Sequence, residues 1–275
     1  MHKTIVRYLF CLTSLAGAFS STLALANDED KFKIITTFTV IADIAQNVAG
    51  DAAIVESITK PDAEIHNYQA TPGDIRRAQG ADLIVYNGLH LEAQMLDMLD
   101  RYSKRKPVIA VGDALTSKNL LPWDDLTHDP HIWMDPGLWA EALQTAVNAL
   151  ARLDPQNAAF YRANAVTYFK KLTTLNDGAR AAIATIPEHA RALVTAHDAF
   201  GYFGRAYSID VLAIQGISTE SEAGIRKIEA KEESRQRDTQ GENICILGET
   251  RLRAQGGELR LSRFTEYKAR SGDVS

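Results

Sequence analysis

Cysteine is nearly absent from this chain, with only Cys11 and Cys245 among 275 residues. Cys11 lies in an apolar N-terminal run, so setting that run aside as a leader leaves Cys245 alone. No intramolecular disulfide can then form, and no thiolate cluster of a structural zinc site can be assembled. A surplus of positive charge is missing as well. Thirty Lys and Arg face 35 Asp and Glu, a net charge of −5. Without Lys3 and Arg7 the count is 28 against 35, about −7. That balance argues against a nucleic-acid partner. There is also no His-Glu-x-x-His pair of the kind that places two zinc ligands on one helix face.

The N-terminus has the three parts of a secretory signal. Lys3 and Arg7 are basic, Tyr8 to Ala24 is apolar, and Ala24-Leu25-Ala26 has the form of a cleavage site. The run contains Ser and Thr and is short for a full membrane span. Cys11 sits behind Leu9 and Phe10, without the small residues that usually precede a lipoprotein acceptor. Residues 1–26 are therefore expected to be a removed signal peptide, and the mature chain a soluble periplasmic protein. The remaining length fits one large or two small domains.

Strands and helices alternate in the first half. Lys33–Phe38 reads as a strand, Val40–Val48 as a helix stopped by Gly50, and Ala53–Thr59 as a second strand. Thr71-Pro72 is an N-cap followed by Pro at the first helical position, opening a helix to about Gln79. Asp82–Tyr86 is a continuous apolar run of the kind found in a buried parallel strand. Leu89–Tyr102 reads as a helix and Pro107–Val111 as a fourth strand. This order argues for a parallel α/β sheet. Leu138–Leu153 is helical, and Asp154-Pro155 restarts a helix. From Gln156 to Ile186 there is no proline and one glycine, Gly178. Either a single strut runs through, or two helices meet near Asn176-Asp177-Gly178. Beyond Pro187 the alternation resumes with strands over Arg191–Ala196 and Ile209–Ile214, a short helix over Gly201–Tyr207 between them, and acids and caps for another helix at Ser218–Glu222.

The stretch Asp129-Pro-His-Ile-Trp-Met-Asp-Pro136 is the chemical centre of the sequence. Pro130 and Pro136 fix φ and remove backbone donors, which makes a stiff loop. A neutral imidazole held rigidly suits a borderline divalent metal. His66 and His197 lie past the carboxyl ends of expected strands, where open parallel sheets bind ligands. Three histidines so placed can close on one ion, although a lone loop histidine is more often a surface or capping residue. Trp133, Trp139, Phe200, Tyr202 and Phe203 read as packing, with the option of a dry wall around the site. His128 and His189 read as solvated.

Five stretches carry a resemblance. They are Glu64-Ile-His-Asn-Tyr-Gln-Ala-Thr-Pro72, Tyr86-Asn-Gly-Leu-His-Leu-Glu92, Asp129-Pro-His-Ile-Trp-Met-Asp135, Val194-Thr-Ala-His-Asp-Ala-Phe-Gly-Tyr-Phe203 and Gln215-Gly-Ile-Ser-Thr-Glu-Ser-Glu-Ala223. Together they resemble the solute-binding proteins of zinc/manganese ABC importers, the TroA/ZnuA-like group. The resemblance implies an α/β fold of two parallel-sheet lobes joined by one long backbone helix, with a metal ion held between the lobes and delivered to a permease in the inner membrane. It implies His66, His131 and His197 as metal ligands and His90 as structural. On this sequence the lobes are expected over 27–153 and 187–275 with the linking helix over 154–186, in a monomer that needs no catalytic residue. The cargo is zinc or manganese, with iron left open; an imidazole at position 197 favours zinc.

The resemblance stops near Ala230. From Lys231 to Ser275 arginines multiply and apolar residues thin out, and only Asn243–Leu247 reads as a strand. A frameshifted or truncated reading frame explains this better than a divergent surface segment. The family's fourth ligand, an Asp from a late loop, has no clear counterpart here; Asp273, Glu249 or water could stand in. With the second lobe truncated or aberrant, weakened metal binding is expected, and a tight one-to-one zinc titration would refute that. Two other functions compete. A zinc hydrolase would need a base such as Asp198 or Asp135, and zinc-dependent ester hydrolysis lost in His131→Ala would support it. An exported adhesin on the same fold would bind a matrix without metal.

Overall fold

A computed structural model describes residues 31–123, 127–213, 216–217, 254–255 and 258–259. The expected leader, the helix start at Ser218–Glu222, the strand at Asn243–Leu247, and Glu249 and Asp273 lie outside the described residues. The first half is a four-stranded, all-parallel sheet in the order β2-β1-β3-β4. Its strands are β1 (Phe32–Thr36), β2 (Ala53–Ser57), β3 (Leu83–Tyr86) and β4 (Val108–Ala110). The helices are α1 (Thr39–Ala49), α2 (Pro72–Gly80) and α3 (Leu96–Ser103), followed by α4 (Pro136–Leu153).

Period-two alternation builds two cores from one sheet. Ile34, Leu83 and Val85 point into a core with α1, α4 and the next helix, through Ile41, Ile44, Leu143, Val147 and Tyr161. Ile35 and Ile84 point the other way, onto Ala78 of α2 and Met98 and Leu99 of α3. Burial on both faces is why the central β3, Leu83–Tyr86, is apolar throughout.

The helix α2 starts as its residues dictate. Thr71 and Asp74 form a reciprocal capping box, and Pro72 sits in the first turn. Burial would raise the Asp74 carboxyl. Hydrogen bonds from the Thr71 amide, the Arg77 guanidinium, the Thr71 hydroxyl and Tyr68 outweigh it and hold it at about 2.

The helix expected over Leu89–Tyr102 starts later than its apolar residues suggest. Gly88, Leu89 and His90 take positive φ of 79°, 52° and 64°. Glu92 causes the turn: its carboxylate accepts the amides of Asn87 at 2.7 Å and Gly88 at 3.1 Å. A single 3₁₀ turn, Ala93–Met95, then leads into α3. His90 is exposed at this strand-helix junction.

After a 3₁₀ turn at Pro155–Asn157, α5 runs unbroken from Ala158 to Ala184, 27 residues, passing through Gly178 without interruption. At 1.5 Å per residue it is about 40 Å long. It packs on α4 and α1 through Tyr161, Ala165, Tyr168 and Leu172. Tyr168 donates to Asp43 of α1 at 3.1 Å, and burial raises its phenol.

Beyond α5, β5 (Ala192–Thr195) and β6 (Asp210–Ala213) pair in parallel, joined by α6 (Gly201–Tyr207). Ile183, Leu193, Tyr207 and Ile209 are the buried residues of the small core behind them. In the late segment, β7 (Ala254–Gln255) and β8 (Glu258–Leu259) pair antiparallel. Among the described residues no helix is long and apolar enough to cross a membrane.

Candidate metal centre

His66 lies in the loop between β2 and α2, His131 in the loop before α4, and His197 just after β5. Their offered nitrogens all lie within 4.8 Å of one another. His66 Nε2 and His131 Nε2 are 3.1 Å apart. The ring centroids form a triangle of 5.2, 5.4 and 6.0 Å. The planes are mutually tilted by 58°, 62° and 85°, so the rings converge edge-on instead of stacking. Three tetrahedral nitrogens about 2.0–2.1 Å from a zinc ion stand about 3.3 Å from each other. The cluster is close to that spacing. It is the one group of three or more such ligands among the described residues.

The His131 ring is held from behind. Asp129 Oδ1 accepts both the His131 backbone amide at 2.9 Å and Nδ1–H at 2.7 Å. That fixes the tautomer, because a proton on Nδ1 leaves the Nε2 lone pair facing the other two histidines. Both residues are buried, Asp129 at 2% exposure and His131 at 1%. Glu64 accepts the His66 amide at 3.2 Å. His66 is buried, and His197 is half-buried.

Buried polar groups converge on the loop carrying His131. The Asn87 side chain donates to the Pro130 carbonyl at 3.0 Å. Asn87 is held in turn by Glu92, which also accepts the Thr37 hydroxyl at 2.7 Å. Burial pushes the Glu92 carboxyl up to about 7, against the hydrogen bonds from Asn87, Thr37 and Gly88. The Tyr202 hydroxyl donates to the Asp129 carbonyl at 2.7 Å and accepts from the Leu121 amide at 3.1 Å. Burial pushes its phenol up to about 12, while the Leu121 amide pulls the other way.

The Trp133 ring stands edge-on to His131 at 5.2 Å, with Phe38 behind it. Trp133 thus lines the site, as an apolar wall would. Trp139 packs into the core at 3% exposure, away from any hydrogen-bond partner for its Nε1. Phe200 and Phe203 pack on the small core behind β5 and β6. Tyr202, grouped with them as packing in the sequence, turns out to be a hydrogen-bonding residue whose hydroxyl the apolar pattern could not assign.

Asp135 is not free to act as a base. Its carboxylate caps α4 by accepting the amides of Gly137 at 2.9 Å and Leu138 at 3.2 Å. Asp198 donates its backbone amide to Gly216. His128 makes an isolated bridge with Pro122 and is half-buried. Asp129, the residue with the most direct hold on His131, was readable only as part of the motif. A signal for it existed in its place two residues before His131, where a short carboxylate can reach both the amide and the ring.

A family model described as the periplasmic component A of a zinc-uptake complex matches residues 34–240. The manganese-binding lipoprotein MntA of Bacillus subtilis is 36% identical over 222 residues, covering 80% of this chain and 72% of its own. The iron-binding protein YfeA of Yersinia pestis is 39% identical over 220 residues, 78% of this chain and 70% of its own. The zinc-binding protein TroA of Treponema pallidum is 36% identical over 212 residues, 77% of this chain and 68% of its own. The solved structure of periplasmic zinc-binding TroA superposes with a TM-score of 0.72 at 34% identity, covering 75% of this chain and 76% of that one.

Proposed function

The chain belongs to the family of periplasmic zinc-uptake components, the solute-binding proteins of metal ABC transporters, and from that membership we propose that it captures one divalent ion on His66, His131 and His197. Its relatives are binding proteins and not enzymes. The observation that carries the ligand assignment is the convergence of three imidazole nitrogens within 4.8 Å, two of them on buried rings.

The relatives are named for manganese, zinc and iron. Three neutral nitrogens and a fixed Nδ1–H tautomer favour zinc over manganese, in softness and in affinity order. We place zinc first, then manganese, with ferrous iron behind them. The ion is cargo. This reading has the chain exported by its leader, working as a monomer in the periplasm, and handing the ion to a permease in the inner membrane. Residues 27–153 serve as one lobe, 187–275 as the other, and 154–186 as the helix between them.

A binding protein needs its ligands close to their final positions before the ion arrives. The Asp129 carboxylate and the Asn87 amide provide that for His131, and the buried setting excludes competing water. Calorimetric titration of the purified chain with zinc and with manganese tests the proposal. One ion per chain, tighter for zinc and lost in His131→Ala, is the expected result. Zinc binding that survives His131→Ala unchanged rejects the ligand assignment.

A further inference from the structure

Resting on the metal-capture reading, we propose that Tyr202 and Arg205 are positioning residues: they clasp α6 to the 119–135 segment and so set how far His197 stands from His131. Four observations carry this. First, α6 begins four residues after His197, so whatever fixes α6 fixes the segment that carries that ring. Second, the Tyr202 hydroxyl reaches across to that segment, donating to the Asp129 carbonyl and accepting from the Leu121 amide. Those two residues are themselves paired, with the Asp129 amide donating to the Leu121 carbonyl at 2.9 Å. The hydroxyl therefore ties together the paired residues Leu121 and Asp129, and the next residues along the chain are Pro130 and His131.

Third, Arg205, one turn further along α6, donates to the Asn119 carbonyl at 2.8 Å and lies 3.8 Å from the Asp135 carboxylate. Its guanidinium covers the Tyr202 ring at 5.0 Å. Fourth, Gly201 permits the close approach. A Cβ there would stand 3.1 Å from both Asp129 Oδ2 and a Leu121 methyl. The carboxylate that orients His131 and the hydroxyl that anchors the His197 segment thus act on the same residue, Asp129.

The clasp joins α6 to the first half of the chain through side chains, independently of α5. It makes His131 and His197 one rigid pair. Tyr202→Phe removes only the hydroxyl and keeps the ring in its 0% exposed site. It loosens the pair without touching a ligand.

The test is metal exchange on the full chain. Zinc affinity and zinc release are measured for wild type, Tyr202→Phe and Arg205→Ala, and the cobalt-loaded forms are compared by their visible ligand-field bands. The control is Tyr168→Phe, which loses a part-buried phenol bond to Asp43 away from the site. Tyr202→Phe is expected to lower affinity about tenfold, the lower end of the range for residues that orient ligands, mainly through faster release and with shifted cobalt bands. Arg205 is exposed, so Arg205→Ala leaves folding intact and gives a smaller loss of the same kind. Tyr168→Phe leaves affinity and bands unchanged. Affinity within twofold of wild type and unshifted bands in both clasp variants overturn the clasp while leaving the capture reading standing. So does an equal loss in Tyr168→Phe. A wild-type chain that binds no zinc or cobalt overturns both.

Discussion

Asp129→Asn isolates the charge behind His131 while keeping the shape. In the wild type one carboxylate oxygen accepts two N–H groups of the same histidine, at 2.7 and 2.9 Å, in a site 2% exposed. An asparagine oxygen can accept both but carries no net charge. Hydrogen bonds to a charged group contribute about 1.5–3 kcal/mol and neutral ones about 0.5–1.5. In the proposed site the charge is felt most once His131 gives its Nε2 pair to a cation, so a difference of the same size, about 1–2 kcal/mol, sets the scale of the loss in metal affinity. At 1.4 kcal/mol per tenfold, zinc affinity falls by roughly 5- to 30-fold. The apo protein is affected less, because the two N–H groups stay paired. The assay is competition against a chromophoric chelator, with thermal denaturation of the apo form alongside. Affinity unchanged within twofold refutes the argument that Asp129 tunes its histidine. A loss of apo stability as large as the loss of affinity points instead to simple loop damage.

Glu92 gives a pH signature. Its carboxyl is held near 7 in the folded chain against an ordinary value of 4.5. The folded state therefore holds the proton more tightly, and the stability it contributes is present below about pH 4.5 and lost as pH rises through 7, roughly 3 kcal/mol in all. Glu92→Gln should flatten the apo melting curve's pH dependence between 5 and 8; an unchanged slope contradicts the burial argument. Asp74 runs the other way. Held at about 2 against 3.8, it contributes about 2 kcal/mol that disappears only as pH falls from 4 towards 2, and Asp74→Asn should remove that acid-limb slope in denaturant titrations. Thr71→Ala breaks the capping box and should cost about 1 kcal/mol by urea denaturation, with zinc affinity unchanged. Gly178→Ala places a methyl in open space within α5 and should stabilise the chain by about 0.5–1 kcal/mol; destabilisation would argue against a continuous helix there.

The alternation of apolar runs and caps made the parallel sheet legible, because strands buried on both faces and Pro-started helices leave local marks. Thr71-Pro72 is an example, and it caps the helix it announces. The delayed start of α3 was not legible. It depends on Glu92 reaching back to two amides, a contact between residues that an amphipathic pattern treats as consecutive helix. Of the site, the three histidines could be picked out because their flanking residues are distinctive. Their supports could not. Asn87 holds Pro130 across 43 positions and Tyr202 holds Asp129 across 73, distances at which sequence spacing carries no signal. The long helix runs continuously through Gly178, a point that composition left open.

The central claim is three imidazoles on one ion, and X-ray absorption at the zinc edge of the loaded chain tests it most directly. The account predicts one zinc per chain with three imidazole nitrogens at about 2.0–2.1 Å, falling to two in each of His66→Ala, His131→Ala and His197→Ala. A zinc shell that keeps the same number of imidazoles in all three variants would contradict it.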